Sequence, residues 1–252
     1  ANNTSVGSES LRYNTTGAQN AAVGTYALGA NTTGGNNVAV GYSALNANTT
    51  ANSNTAVGRQ ALNANTTGHN NVALGYQALL AHTTGYNNTA LGNATLYSNI
   101  DGFENVAVGY IASYNVTTGD SNISMGRAAL YNLTTGNNNI GIGAEAGRTA
   151  SPGGEISTAS NRIVLGNNNH TSSHIKTDWT VTSDQRDKAD ITNFTHGLNY
   201  VNELRPVNYV WDDRSNYEDG ISDGSKKKPD VQLGFLAQEV QTIESDLGIN
   251  NN

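Results

Sequence analysis

The chain is built on one phrase, Asn37-Val38-Ala39-Val40-Gly41, that returns at a constant interval. It recurs as Asn71-Val72-Ala73-Leu74-Gly75 and as Asn105-Val106-Ala107-Val108-Gly109. Its glycine falls every 17 residues from Gly7 to Gly143, with no insertion or deletion. An asparagine stands four residues before each of these glycines, from Asn3 to Asn139. The position two before the glycine is always small: serine, alanine or glycine. A fixed period over nine copies signals a repeat architecture and outranks local propensity.

One repeat can be read physically. Val38 and Val40 flank Ala39, so two apolar side chains point one way and a small one the other. This predicts a short strand whose valine face is buried and whose alanine face is closely approached. Gly41 then allows a corner with positive φ. A leucine follows most glycines by four residues, as Leu11, Leu28, Leu45, Leu62, Leu79, Leu96 and Leu130, and is expected as a second core residue. Polar turns ending in glycine come next, at 14–17, 31–34 and 65–68. About 17 residues with two or three apolar anchors cannot offset their own chain entropy, so the coils must stack. Aligned asparagines are then placed to form an amide ladder, each donating to one neighbour and accepting from the other.

The expected fold is mainly β: a parallel β-solenoid or β-roll over 1–150, one coil per repeat, followed by a small α+β domain. A stack of nine coils would be roughly 40 Å long, at about 4.8 Å per coil. Three interwound extended chains are the rival geometry, several times longer. Residues 151–182 read as a cap and connector. Ser151-Pro152-Gly153-Gly154 breaks the period, and the phrase returns once, ending at Gly166. Thr177–Val181 reads as a final strand, with Trp179 sealing an end.

From Ser183 charges become dense, glycine becomes rare and the period is lost. Leu198, Val201 and Leu204 have helical spacing, and Pro206 stops that helix. Val207–Trp211 alternates as a strand does, 231–235 reads as another strand, and a helix starts at Ala237. Lys226-Lys227-Lys228 reads as a solvated loop tip.

Composition bounds the function. The net charge is −7 with no basic patch, which argues against nucleic acid. The chain has no cysteine and no long apolar run, so neither disulfides nor a membrane-inserted helix is expected. The histidines are scattered, so no metal and no cofactor is expected. The chain begins inside a repeat, as a piece of something longer would. A polar surface poor in charge suits a rigid extracellular or virion fibre.

Three blocks in the last 70 residues carry a resemblance. Ser183-Asp184-Gln185-Arg186-Asp187-Lys188-Ala189-Asp190-Ile191 fits Ser-Asp-x-Arg-x-Lys-x-x-Ile. Leu204-Arg205-Pro206-Val207-x-Tyr209-x-Trp211 and Gly234-Phe235-x-Ala237-Gln238-Glu239-Val240 follow in order. Together they resemble the endosialidase-type intramolecular chaperone domain that ends many phage tail fibres and tailspikes. The repeats are similar, more distantly, to trimeric autotransporter adhesin heads. The resemblance implies a homotrimer in a virion tail fibre, with other tail proteins and a host-surface glycan or protein receptor as partners. It implies that 183–252 help three chains fold and then cut themselves off between Ser183 and Asp184. Ser183 would be the nucleophile, Lys188 its base, and Asp184 and Arg186 would support the scissile region. A lysine of lowered pKa can activate a serine in this way. Any such activity is a single-turnover serine peptidase. Read alone, without the resemblance, the same residues are better described by Ser183 capping a turn and Lys188 pairing with Asp184 or Asp187 on the surface.

A bacterial adhesin head without enzymatic activity is the alternative, and it would call for a membrane anchor. A glycan-degrading enzyme needs paired carboxylates, and residues 1–150 hold only five scattered acids. Paired threonines such as Thr32-Thr33 would suit ice binding, but turn chemistry places them equally well. Receptor contacts are expected where aromatics break the repeat: Tyr76, Tyr86, Tyr97, Phe103, Tyr110, Tyr114 and Tyr131. These rings would stack on sugars or pack between chains.

Overall fold

A computed structural model describes residues 2–170, 197–210, 224, 227 and 231–248. The chain divides into two compact units, Ala1–Lys176 and Thr177–Asn252.

In the first unit each phrase forms one three-residue strand. These are β1 (Thr4–Val6), β2 (Ala21–Val23), β3 (Val38–Val40), β4 (Thr55–Val57), β5 (Val72–Leu74), β6 (Thr89–Leu91), β7 (Val106–Val108), β8 (Ile123–Met125), β9 (Ile140–Ile142) and β10 (Ile163–Leu165). They pair in sequence order into one parallel ten-stranded sheet. The register is locked to the period: Ala22 faces Ala39, Ala39 faces Ala56 and Ala56 faces Ala73. This is the parallel β-solenoid that the 17-residue step requires. Backbone bonds between coils continue beyond the strands. Leu28 N–H donates to Ala44 O at 3.0 Å and Ala30 N–H to Asn46 O at 3.0 Å.

The alternation forecast the two faces of the strand correctly and their orientation wrongly. Ala39 is fully buried, whereas Val38 and Val40 are each 36% exposed. The cause is the width of the coil. The inward position abuts the leucine column, and a methyl added at Gly141 would lie 2.7 Å from Leu130 Cγ. Only a small residue fits there, so the valines turn outward. The core is a column of alanines against a column of leucines, with Leu28, Leu45, Leu62, Leu79, Leu96 and Leu130 fully buried. Those leucines adopt left-handed φ values of 49–52°. That conformation costs roughly 1–2 kcal/mol for an L-residue. Full burial of a leucine is worth about 1.5–3 kcal/mol, so burial outweighs the strain.

Gly147 stands where the next leucine is due. Ile156, only 4% exposed, is carried in by the inserted loop and packs in its place. Its N–H donates to Gly147 O at 2.8 Å. The loop is held by Ser151, whose N–H and Oγ donate to Arg148 O at 3.0 and 2.7 Å. The strand expected around Trp179 lies outside the described residues.

The second unit contains α1 (Gly197–Glu203), β11 (Val207–Tyr209), β12 (Gln232–Gly234) and α2 (Ala237–Asp246). β11 and β12 are antiparallel, with Val207 opposite Gly234. Tyr200 Oη donates to Glu244 Oε1 at 3.2 Å, tying α1 to α2, and Arg205 pairs with Glu239. Neither helix buries a residue fully, and Leu198, Val201, Leu233 and Phe235 are each more than half exposed.

Candidate functional site

The asparagine columns hold the coils in register and therefore position every exposed side chain. In the invariant column, Asn54 Oδ1 accepts the Asn71 N–H at 2.9 Å, and Asn54 Nδ2 donates to Gly68 O at 2.8 Å. Side chain thus satisfies backbone. From Asn71 to Asn139 the same column also forms a direct amide ladder, each Nδ2 donating to the Oδ1 of the preceding coil at 3.0–3.1 Å. A second amide ladder runs through the turn column. Asn31 Nδ2 donates to Asn14 Oδ1, Asn48 to Asn31 and Asn65 to Asn48, at 2.8, 2.8 and 3.0 Å.

His82 occupies the next rung. Its Nε2 lies 2.9 Å from Gly85 O, and its Nδ1 lies 2.7 Å from the Asn99 amide oxygen. Two acceptors would require a charged ring, but loss of hydration on burial pushes the His82 pKa below its ordinary 6.5. A half-turn of the Asn99 carboxamide exchanges N and O at no cost in shape. It offers Nδ1 a donor and gives the buried, unpartnered Asn99 Nδ2 a bond. We therefore assign a neutral His82 with its proton on Nε2. Asn65 Oδ1 remains without a donor, because an imidazole supplies none where an asparagine would. Its place in the 17-residue column, one period after Asn65, is the signal in the sequence that marks it.

The aromatic candidates fall into longitudinal columns. His69, Tyr86 and Phe103 stack in succession, with centroids 5.4 and 4.9 Å apart and planes within 10°. Tyr97, Tyr114 and Tyr131 form a second stack at 4.8 and 5.4 Å, with Arg148 lying 5.3 Å from the Tyr131 centroid. Burial, then the neighbouring tyrosines, raise the Tyr114 pKa. The middle rings, Tyr86 and Tyr114, have both faces covered, so a partner would meet their edges. Tyr76 and Tyr110 share a third column two coils apart and are 40% and 55% exposed. The Arg59 guanidinium lies 5.6 Å from the Tyr76 centroid and 5.8 Å from that of Tyr42.

The cleavage candidates Ser183, Asp184, Arg186 and Lys188 lie outside the described residues. From the later motif blocks, Arg205 and Glu239, which lie in different blocks, form an ion pair. Among the described residues no group of three or more His, Asp or Glu is placed to hold a metal ion. No helix among them is long and apolar enough to cross a membrane.

Residues 183–249 match the family model described as chaperone of endosialidase. No curated protein and no solved structure matches the chain.

Proposed function

We propose that this chain is the distal part of a homotrimeric tail-fibre-like protein. The solenoid is its shaft and receptor-contacting element, and the segment from Ser183 onward is a folding aid that aligns three chains and then releases itself. The observation that carries this reading is the pairing of a chaperone-family match with an apolar ribbon along the solenoid. On the outer sheet face Val6, Val23, Val40, Leu74, Met125, Ile142 and Leu165 are all at least 36% exposed. Beside them runs a second column that includes Val38, Val72 and Ile163. A monomer rarely leaves such a strip uncovered. The ribbon repeats once per strand, about every 4.8 Å. A partner matches it over its whole length only if it has the same period, and another copy of this chain does.

Self-cleavage belongs to the same reading. Ser183 Oγ adds to the carbonyl carbon of the Ser183–Asp184 peptide bond while Lys188 takes the hydroxyl proton. The C–N bond breaks as Lys188 returns that proton to the Asp184 nitrogen, and water hydrolyses the ester left behind, with Asp184 and Arg186 holding the segment. Tyr76, Tyr86, Tyr97, Phe103, Tyr110 and Tyr114 are its candidate receptor contacts, on a surface facing outward from a virion. The test is the denatured and native mass of the expressed chain beside Ser183→Ala. Fragments of 183 and 69 residues in the parent alone, with a native trimer in both, are expected. An intact parent would remove the peptidase role of Ser183 and Lys188. A monomer in both would remove the trimer.

A further inference from the structure

The column five residues after the repeat glycine is filled by Tyr97, Tyr114 and Tyr131 in later coils. In earlier coils the same column holds Gly29 and Asn46, and the next column holds Ala30. Gly29 has no side chain and Ala30 only a methyl, and between Arg12 and Asn46 of the same column they border an open depression of about 210 Å³. Tyr13 and Tyr26 line it and are 56% and 41% exposed. The Arg12 guanidinium lies 4.9 Å from the Tyr13 centroid, and Tyr26 stands edge-on to Tyr42 at 6.0 Å, so both rings are steadied. Neither belongs to a parallel stack. The polar rim is Glu9, Arg12 and Asn46, with Arg12 Nη1 2.5 Å from Glu9 Oε2.

We infer that this depression is a subsite for one neutral pyranose ring of a saccharide. Its volume is below the roughly 300–1,000 Å³ of sites for drug-sized ligands, and suits a single ring. Aromatic side chains take the C–H face of a sugar as they take other apolar surface. The rim offers a carboxylate acceptor, a guanidinium donor and an amide that does both, which matches vicinal hydroxyls. Glu9 and Arg12 neutralise one another, so the rim carries no net charge to draw in an acidic sugar or a cation, and its paired groups suit a neutral ligand. The inference deepens the receptor-contact reading and rests on it, but places the contact at Tyr13 and Tyr26.

The test is saturation-transfer NMR on the whole chain. The probes are methyl glycosides of glucose, galactose and mannose, with sialic acid as the charged control. Asn46→Tyr is the blocking variant, because its column already accepts tyrosine in three other coils; Tyr13→Ala removes a wall. Transfer from at least one neutral glycoside is expected in the parent, at least tenfold weaker in Tyr13→Ala and lost in Asn46→Tyr. Circular dichroism should be unchanged in both variants. Transfer from sialic acid alone, or transfer that survives in Asn46→Tyr, overturns the subsite. If it survives there but is lost in Tyr76→Ala, the solenoid still contacts glycans, at another column. No transfer from any probe removes the saccharide subsite and leaves the receptor reading to the aromatic columns beyond it.

Discussion

Replacing His82 by asparagine should stabilise the solenoid. An asparagine at this rung donates to Asn65 Oδ1, now buried without a partner, and restores the regular acceptor for Asn99. A buried polar atom left unpaired costs about 1–3 kcal/mol. The asparagine occupies space that its column already provides at Asn31, Asn48, Asn65 and Asn99. A gain of about 1–2 kcal/mol follows, or a rise of about 2–8 °C in Tm for a unit of this size. The pH dependence supplies an independent check. Burial depresses the folded pKa of His82 below 6.5, so between those two values the unfolded chain binds more protons. The parent therefore keeps this part of its stability above pH 6.5 and loses it as pH falls toward the folded pKa. The limiting slope is about 1.4 kcal/mol per pH unit. His82→Asn lacks that slope. Urea unfolding followed by circular dichroism, at one chain concentration and at several pH values from 8 to 5, measures both effects. An unchanged or lower midpoint at pH 8, or parallel pH curves for parent and variant, would refute the reasoning.

Leu62→Ala empties a fully buried site in a core one side chain thick, and should cost about 2–5 kcal/mol in the same melts. Gly41→Ala meets two obstacles: φ is +133°, and the new methyl would lie 2.6 Å from Gly58 O. A loss of about 3 kcal/mol is expected, and loss of soluble protein if the coil cannot yield. Asn54→Ala leaves the Asn71 N–H without its acceptor, while Gly68 O keeps the Asn65 amide, and should cost about 1–3 kcal/mol, read as a lower urea midpoint. Val40→Lys charges the outer ribbon without touching the core. It should leave the far-ultraviolet spectrum intact and convert a trimer to monomer in sedimentation, if copies of the chain cover that ribbon.

The period made the coil legible, and the leucine column with it, because an unbroken 17-residue step puts like residues in register. It left open whether each chain coils on itself or three interwind, and the strands pair in sequence order within one chain. Also left undecided was the sense of the strand. Val-Ala-Val defines two faces, and hydrophobicity assigns the valines to the inside. A coil this narrow reverses that choice, since the leucine opposite leaves room for no more than a methyl. Ile156 filling the place vacated at Gly147 was equally hidden, because the filler comes from an inserted loop that ignores the period. The aromatic columns were readable once residues were aligned modulo 17. Stacking was not, because it depends on ring torsions that spacing does not define. Ser183, Asp184, Arg186 and Lys188 are legible only through the family motif; spacing says nothing to separate a nucleophile from a turn cap.

The bonds joining one coil to the next, such as Leu28 N–H to Ala44 O, point along the stack. A pull along that direction loads the coil interfaces in series, so the weakest yields first and the others follow. Each rupture pays out 17 residues, about 55 Å of chain beyond the spacing already occupied. A single molecule stretched from its ends should lengthen in equal steps, with the interface beside His82 among the first to give way. Attached at one end and tugged at the other, the solenoid would behave less as a stiff rod than as a brake that lengthens in measured increments.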